Sequence, residues 1–345
     1  MRVPVLTALQ KIEFQERPTP HIQSGHVLVK VEYCGICGSD VHGYLNGILV
    51  PPGTVMGHEC SGVVAEAGRA VSRFKQGDRV VVKPIAQCGE CYWCRRGQYS
   101  LCSTAFGRAI GITQDNEGAF AEYVLVKYPD AMLYPLPPEV SFEAAALVEP
   151  LATSLHAVRM SRVKPGDRVV IIGAGMIGLG VLQFVRLGGA GKVIVLEISP
   201  EKSRIAKQMG ADVVLNPTSE GEGLREKIVE LTGGVGADVV FECAGVPFAF
   251  QMCVTYAKPG GQVMVVGIND KEVAINPFLI VLGEVELKGV LGYYDEFTYV
   301  IEFLEKKKID TSSLISEIIP LSELEEKGIK RLLSSPDLVK ILVKP

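Results

Sequence analysis

From Arg168 onward the chain alternates continuously apolar runs with amphipathic ones, and this rhythm limits its fold more than any other feature. RVVIIG (168–173), KVIVLEI (192–198), ADVVLN (211–216), ADVVFECAG (237–245), GQVMVVGI (261–268) and VELKGVLGY (285–293) read as strands. Among them MIGLGVLQFVRL (176–187), PEKSRIAKQM (200–209) and GLREKIVELT (223–232) read as helices. Strands apolar on both faces need cover on both faces, which predicts an α/β region with a doubly wound parallel sheet.

The first 135 residues follow a different pattern. HVLVKVEY (26–33), SGVVAEAG (61–68), DRVVVKP (78–84) and AFAEYVLVK (119–127) are short, β-branched and partly alternating, with Gly, Pro and Asp between them. They predict an antiparallel, barrel-like domain. PLPPEVS (135–141) is turn-rich, and 141–161 reads as a helix interrupted at Pro150. After the strand–helix repeat come two helical stretches, 296–308 and 322–333, and a strand-like VKILV (339–343). This tail breaks the repeat and is expected to pack back on the first domain. The expected division is 1–152, 153–291 and a return segment 292–345.

Composition narrows the function. The chain has 345 residues and a formal charge of −4, without a basic stripe, which argues against a nucleic-acid partner. The pair Arg95-Arg96 and the run Lys306-Lys307-Lys308 are short enough to be solvated surface. The N-terminus carries no signal-peptide pattern. The longest apolar stretch, Val169 to Val185, is shorter than the ~20 residues that span a bilayer, so no membrane segment is expected. Nine cysteines without an export signal point to metal ligation in reducing cytoplasm, not to a disulfide framework.

The strand RVVII runs directly into Gly173-Ala174-Gly175-Met176-Ile177-Gly178, which opens a helix. Alone, GxGxxG says little; between a strand and a helix it is a dinucleotide signature. Its glycines allow a tight turn, close approach to a pyrophosphate and close helix–strand packing, and the helix N-terminus offers N–H groups to the phosphates. Glu197 closes the next strand 19 residues past Gly178. A carboxylate there can accept the ribose hydroxyls and repels a 2′-phosphate, which favours NAD over NADP. Val266, Gly267 and Ile268 end a later strand at the same sheet edge, where backbone can meet the nicotinamide carboxamide; strand-end packing is the alternative reading.

Cys88, Cys91, Cys94 and Cys102 form C-x2-C-x2-C-x7-C within 15 residues. Four thiolates can close a tetrahedral structural zinc site, which leaves no open position for chemistry. An iron–sulfur cluster is the rival reading. A second, dispersed set holds Cys37 in CGICGSDVH (34–42), His58 and Glu59 in GHECSG (57–62), and Glu149 in VEPLA (148–152). A catalytic zinc takes about three protein ligands and keeps one position open. Singly, each residue also reads as a buried thiol, a core histidine or a surface charge.

With GHE (57–59), the four-cysteine lobe, EPLA (149–152) and GAGMIG (173–178), the chain resembles the zinc-containing medium-chain dehydrogenases over essentially its whole length. GHE and EPL are similar to the polyol and secondary-alcohol branch. The resemblance implies a GroES-like β-barrel catalytic domain, a Rossmann domain and an active site in the cleft between them. It also implies two zinc ions per chain, NAD, and a homotetramer or dimer. Within it, Cys37, His58 and Glu59 match catalytic-zinc ligands of the sorbitol dehydrogenase-like group. Glu149 matches either a direct ligand or a carboxylate near the zinc-bound water, and the choice between Glu59 and Glu149 stays open. Ser39 matches the hydroxyl beside the substrate oxygen, His42 the outer histidine of a proton relay, and Asp40 a carboxylate that orients His58. Ile177, Glu197 and Lys202 fall on cofactor-contact positions.

The chemistry implied is oxidation of a small secondary alcohol to a ketone, with zinc acidifying the alcohol and hydride passing to the nicotinamide. Two departures count against a sugar alcohol. Gly43 stands where sorbitol dehydrogenases carry a substrate-contacting tyrosine, with Tyr44 one place later, and Gly292 stands where they carry an arginine before Tyr293. The segment 265–297 and the closing EKGIKRLLSSPDLVKILV resemble 2,3-butanediol dehydrogenases instead, so a vicinal diol is the expected substrate. CRRGQYSLC (94–102) is similar in threonine dehydrogenases and keeps L-threonine as the alternative. Readings from other classes are a zinc-ribbon interaction module and a dinucleotide-binding sensor without catalysis.

Overall fold

The computed structural model describes every residue from Met1 to Pro345. Contacts divide the chain into two units, Met1–Glu149 with Tyr293–Pro345, and Pro150–Gly292. The divisions fall three residues before and one residue after the expected boundaries at 152 and 291.

The first unit opens on a hairpin, β1 (Arg2–Ala8) with β2 (Lys11–Glu16), which the sequence reading left unmarked. Pro4 hides it. Proline lacks a ladder donor and is tolerated at edges, and a two-stranded sheet is all edge. The main sheet contains β3 (Val27–Gly35), β4 (Glu59–Ala67), β5 (Arg79–Val82), β6 (Tyr123–Val126) and β7 (Leu133–Pro135), all paired antiparallel. Val27, Val29 and Val31 alternate into a core with Val64, Val80, Val82, Phe120 and Val124. The expected helix over 141–161 is two helices, Phe142–Ala146 and Val148–Met160. The break is at Leu147, not at Pro150. Ser141 caps the first piece by accepting the Ala144 N–H at 3.2 Å, and Pro150 sits in the first turn of the second, where its missing N–H has no helical partner to lose.

The second unit is a six-stranded parallel sheet of β8 (Arg168–Ile172), β9 (Lys192–Leu196), β10 (Val213–Leu215), β11 (Ala237–Glu242), β12 (Ala257–Val265) and β13 (Glu286–Gly289). Its order is β10-β9-β8-β11-β12-β13, so the strand order reverses between β8 and β11. That is the doubly wound arrangement in which dinucleotides bind at the carboxyl ends of the strands. The helices Met176–Leu187, Pro200–Gln208 and Leu224–Leu231 lie where the periodicity places them. Pro247–Tyr256 and Pro277–Gly283 were not foreseen, because both are too apolar to show a polar face.

The chain then returns to the first unit through the helix Glu296–Glu305, β14 (Ile315–Pro320) and β15 (Lys340–Lys344). β15 lies parallel to β14 and antiparallel to β3, with Leu342 opposite Gly35 and Val343 opposite Cys34. The stretch expected as one helix over 322–333 contains a wide π-helical turn, Leu324–Ile329, before a short α-helix, Lys330–Ser334. No helix is long and apolar enough to cross a membrane.

Candidate active site

Cys37 caps the helix Gly38–Asn46, and this helix presents Ser39, Asp40 and His42 in its first two turns. Asp40 is fully buried. Its Oδ2 accepts the Cys37 N–H at 2.9 Å and its Oδ1 accepts the Gly57 N–H at 3.4 Å. One carboxylate thus ties the helix start to the segment that carries His58. The same Oδ1 lies 3.6 Å from His58 Nδ1, too long for a hydrogen bond, and Nδ1 is buried without a partner. Ser39 Oγ is 3.3 Å from His58 Nε2. Burial works against the charged imidazole, but Asp40 and Cys37 outweigh it and hold His58 well above its usual range.

Glu59 is the first residue of β4, opposite Gly35 of β3. A Cβ at Gly35 would fall 2.2 Å from Glu59 Oε2, so only glycine leaves room for this carboxylate. Both Glu59 oxygens accept from Lys340 Nζ, at 2.8 and 2.7 Å, and Lys340 also donates to the Ile36 carbonyl at 2.8 Å. Lys340 escaped the sequence reading. Its signal was a lysine inside an otherwise apolar run, LVKILV (338–343), where a charge needs a buried partner. Burial alone would lower this ammonium's pKa, but Glu59 raises it above the usual value. Glu149 is partly buried beside the same groups. Burial pushes its carboxyl up to about 7, with His58 opposing the rise and Glu59 adding to it. Tyr293 is buried next to Glu149, and its hydroxyl has no hydrogen-bond partner.

The ligand atoms of Cys37, His58 and Glu59 lie within 4.8 Å of one another. A thiol, an imidazole and a carboxylate at that spacing are a donor set suited to zinc, and the unpartnered imidazole edge beside Asp40 fits the support that zinc-bound histidines take. His42 lies one helical turn beyond Ser39 and is half-exposed.

Cys88, Cys91, Cys94 and Cys102 form a second group within the same 4.8 Å limit, and all four are free of disulfides. The Sγ atoms of Cys88 and Cys94 are 3.9 Å apart. Tetrahedral zinc with ~2.3 Å bonds to sulfur requires edges of about 3.8 Å. Backbone N–H groups of Cys94 and Ser103 aimed at Cys91 bring its thiol down to about 5, while burial pushes Cys94 up to about 12.

In the second unit, Gly173 turns the chain at φ 94°, and a Cβ at Gly178 would fall 1.9 Å from the Gly173 carbonyl oxygen. Around a Cβ at Gly175 there is nothing within 4 Å, which leaves the open approach a pyrophosphate needs. A cavity of about 490 Å³ beside this turn is lined by Gly173, Gly175, Glu197, Lys202, Thr218 and Ala244 among others. Glu197 is buried, and its carboxylate accepts the N–H groups of Ala174, Ile198 and Ser199 at 2.7–2.8 Å. It therefore braces the glycine turn as well as facing the cavity. Ile177 does not line this cavity; its carbonyl accepts the Ser154 hydroxyl at 3.1 Å. Val266, Gly267 and Ile268 also lie outside it, with Val266 and Gly267 both donating to the Glu242 carbonyl at 2.9 Å.

Comparison with known proteins agrees with this layout. A family profile described as "Alcohol dehydrogenase GroES-like domain" matches residues 23–138, and one described as "Zinc-binding dehydrogenase" matches 177–306. The (R,R)-butanediol dehydrogenase of Bacillus subtilis (strain 168) is 38% identical, over 97% of this chain and 96% of its own. The sorbitol dehydrogenase of the same strain is 33% identical, over 100% of this chain and 97% of its own. The crystal structure of 2R,3R-butanediol dehydrogenase from Bacillus subtilis matches with a TM-score of 0.90 at 35% identity, over 100% of this chain and 99% of that one. With both profiles and full-length relatives in agreement, the chain belongs to the zinc-binding alcohol dehydrogenase family, with its GroES-like domain and Rossmann-type parallel sheet.

Proposed function

We propose that the protein is an NAD-linked dehydrogenase that interconverts a small secondary alcohol and its ketone, with a vicinal diol of the 2,3-butanediol type as substrate. The observation that carries this reading is the convergence of Cys37, His58 and Glu59 within 4.8 Å, beside Ser39 and apart from the four-cysteine lobe. In this reading the first set holds a catalytic zinc, with Glu59 or Glu149 as third protein ligand, and the second holds a structural one. Bound zinc supplies a Lewis acid that lowers the pKa of an alcohol oxygen. Ser39 Oγ would accept the hydroxyl proton while giving up its own toward half-exposed His42, which releases a proton to water. Gly173 and Gly175 admit the pyrophosphate and Gly178 lets the helix pack against their turn, while Glu197 and Lys202 hold the adenosine side and Val266–Ile268 the nicotinamide side.

The choice of a short diol is supported by three positions, Gly43, Tyr44 and Gly292. Tyr44 is buried, with its hydroxyl donating to Glu325 Oε1 at 2.9 Å, so that hydroxyl is already committed within the protein. Gly43 has no room for a side chain, because a Cβ there would fall 2.5 Å from that of Val50. Gly292, standing where sorbitol dehydrogenases carry an arginine, offers no side-chain donor of its own. The (R,R)-butanediol dehydrogenase relative supports the same choice.

The protein is further proposed to work in the cytoplasm, where its clustered thiols stay reduced, and as a homo-oligomer. Phe278, Val281 and Leu282 support the second point: they are 61–71% exposed on the helix just before the edge strand β13.

The test is an NADH-formation panel with butanediol stereoisomers, sorbitol, L-threonine and simple alcohols, together with metal analysis. The reading expects about two zinc ions per chain and the highest kcat/KM on a butanediol isomer. Preference for L-threonine or sorbitol would overturn the substrate. One zinc per chain and no turnover would leave a dinucleotide-binding protein without catalysis.

A further inference from the structure

Glu242 ends β11, and its side chain is 1% exposed. Its Oε1 accepts the N–H groups of Ala244 and Gly245, at 2.9 and 2.8 Å. Its main-chain carbonyl accepts two more, from Val266 and Gly267, both at 2.9 Å. One residue therefore gathers four N–H groups from the turns that follow two adjacent strands. A third strand end joins them: Cys243 donates to the Ile172 carbonyl at 2.9 Å, and a Cβ on Gly173 would come within 3.0 Å of Ala244 Cα. The turns after β8, β11 and β12 thus meet at Glu242, at the carboxyl edge where a doubly wound sheet binds its dinucleotide.

Gly267 shows how tight the junction is. A Cβ there would lie 2.3 Å from the Gly245 nitrogen and 2.7 Å from Glu242 Oε2. The backbone of 266–268 thus rests directly on the carboxylate and on the turn it organises. A buried carboxylate is costly unless its charge is met by donors, and the inward-turned N–H groups of Ala244 and Gly245 meet it here.

We propose that Glu242 is a positioning residue of the dinucleotide site, one that sets the 266–268 backbone at the height the nicotinamide half requires. The inference rests on the NAD-linked reading and adds a residue that the cavity lining does not reveal. Glu242 touches no ligand itself. It acts by fixing the Gly245 turn on which Gly267 lies.

Direct binding tests it without knowledge of the alcohol. NADH and ADP-ribose, which lacks the nicotinamide, are titrated against wild type, E242A, E242Q, G267A and the double variant E242A/G267A. E242A and G267A are each expected to weaken NADH at least tenfold while changing ADP-ribose less than about threefold. E242Q, which keeps volume and an acceptor oxygen, is expected to recover most of the NADH affinity. The double variant is expected to be no weaker than the worse single variant, since both changes break one junction. Equal losses for NADH and ADP-ribose, or NADH affinity within twofold of wild type in E242A, would show a turn cap with no role in the site. Should E242A fail to fold, E242D carries the same comparison, because it keeps the charge but draws the acceptor oxygens one methylene back from the Ala244 and Gly245 N–H groups. A wild-type protein that binds neither NADH nor NADPH would overturn the dinucleotide reading and this inference with it; a binding wild type with unsplit variants overturns the inference alone.

Discussion

Lys340 Nζ reaches both carboxylate oxygens of Glu59, at 2.8 and 2.7 Å, across 281 positions of sequence. Both side chains are buried, at 4% and 0% exposure. Such a pair contributes little compared with an apolar replacement, but breaking it leaves a naked charge in a dry interior. In the metal-free protein K340M is therefore expected to cost ~3–5 kcal/mol in urea unfolding. K340M/E59Q is expected to regain most of that loss, since no unpaired carboxylate remains. A single variant as stable as wild type would mean that water reaches Glu59.

Asp40 acts on the metal set without joining it, holding the Cys37 N–H and facing His58 Nδ1. Substitution of such supporting carboxylates costs about 10–100-fold in metal affinity. D40N is expected to lose zinc from the Cys37 set within that range in chelator competition, while the four-cysteine lobe keeps its ion.

Two glycines of one turn are expected to fail differently. In G178A the new methyl would meet the Gly173 carbonyl at 1.9 Å, so the turn itself must distort and thermal stability falls. In G175A nothing of the protein is within 4 Å, so the melting temperature should stay within a degree or two of wild type. The same methyl would stand in the pyrophosphate's approach, and NADH binding should weaken at least tenfold. Normal NADH binding by G175A would place the pyrophosphate elsewhere.

A pH effect is expected from Asp238. Burial disfavours its charge, but Lys258 at 2.5 Å and the Arg168 N–H at 2.7 Å outweigh that and hold its pKa below the usual value. A folded-state pKa below the unfolded one stabilises the fold above the unfolded value, about 3.9. That contribution fades as pH falls through the lower folded value. D238N should thus be less stable than wild type at pH 7, with the gap narrowing as pH falls below about 4. Denaturant midpoints at both pH values check this. A gap independent of pH would assign the effect to packing.

The sequence was most informative where local pattern and chemistry coincide. The helix 176–187 was legible to the residue because strand, glycine turn and amphipathic period all demand it. The four-cysteine lobe was legible because its cysteines are near neighbours in the chain. Lys340 and Glu242 were not. The partner of Lys340 lies on another strand, and Glu242 resembles any strand-end glutamate until the turns it gathers are seen. The hairpin β1–β2 was masked by Pro4, and the helix Pro247–Tyr256 by its lack of a polar face.

Placing β15 between β14 and β3 also has a consequence for biosynthesis. Glu59 leaves the ribosome 281 residues ahead of the lysine that neutralises it. At ~5–20 residues per second that interval is about 15–55 s. Throughout it a nascent polypeptide must keep this acid hydrated or protonated, with β3 lacking one of its neighbours. The parallel sheet, encoded by one uninterrupted stretch, has no such wait.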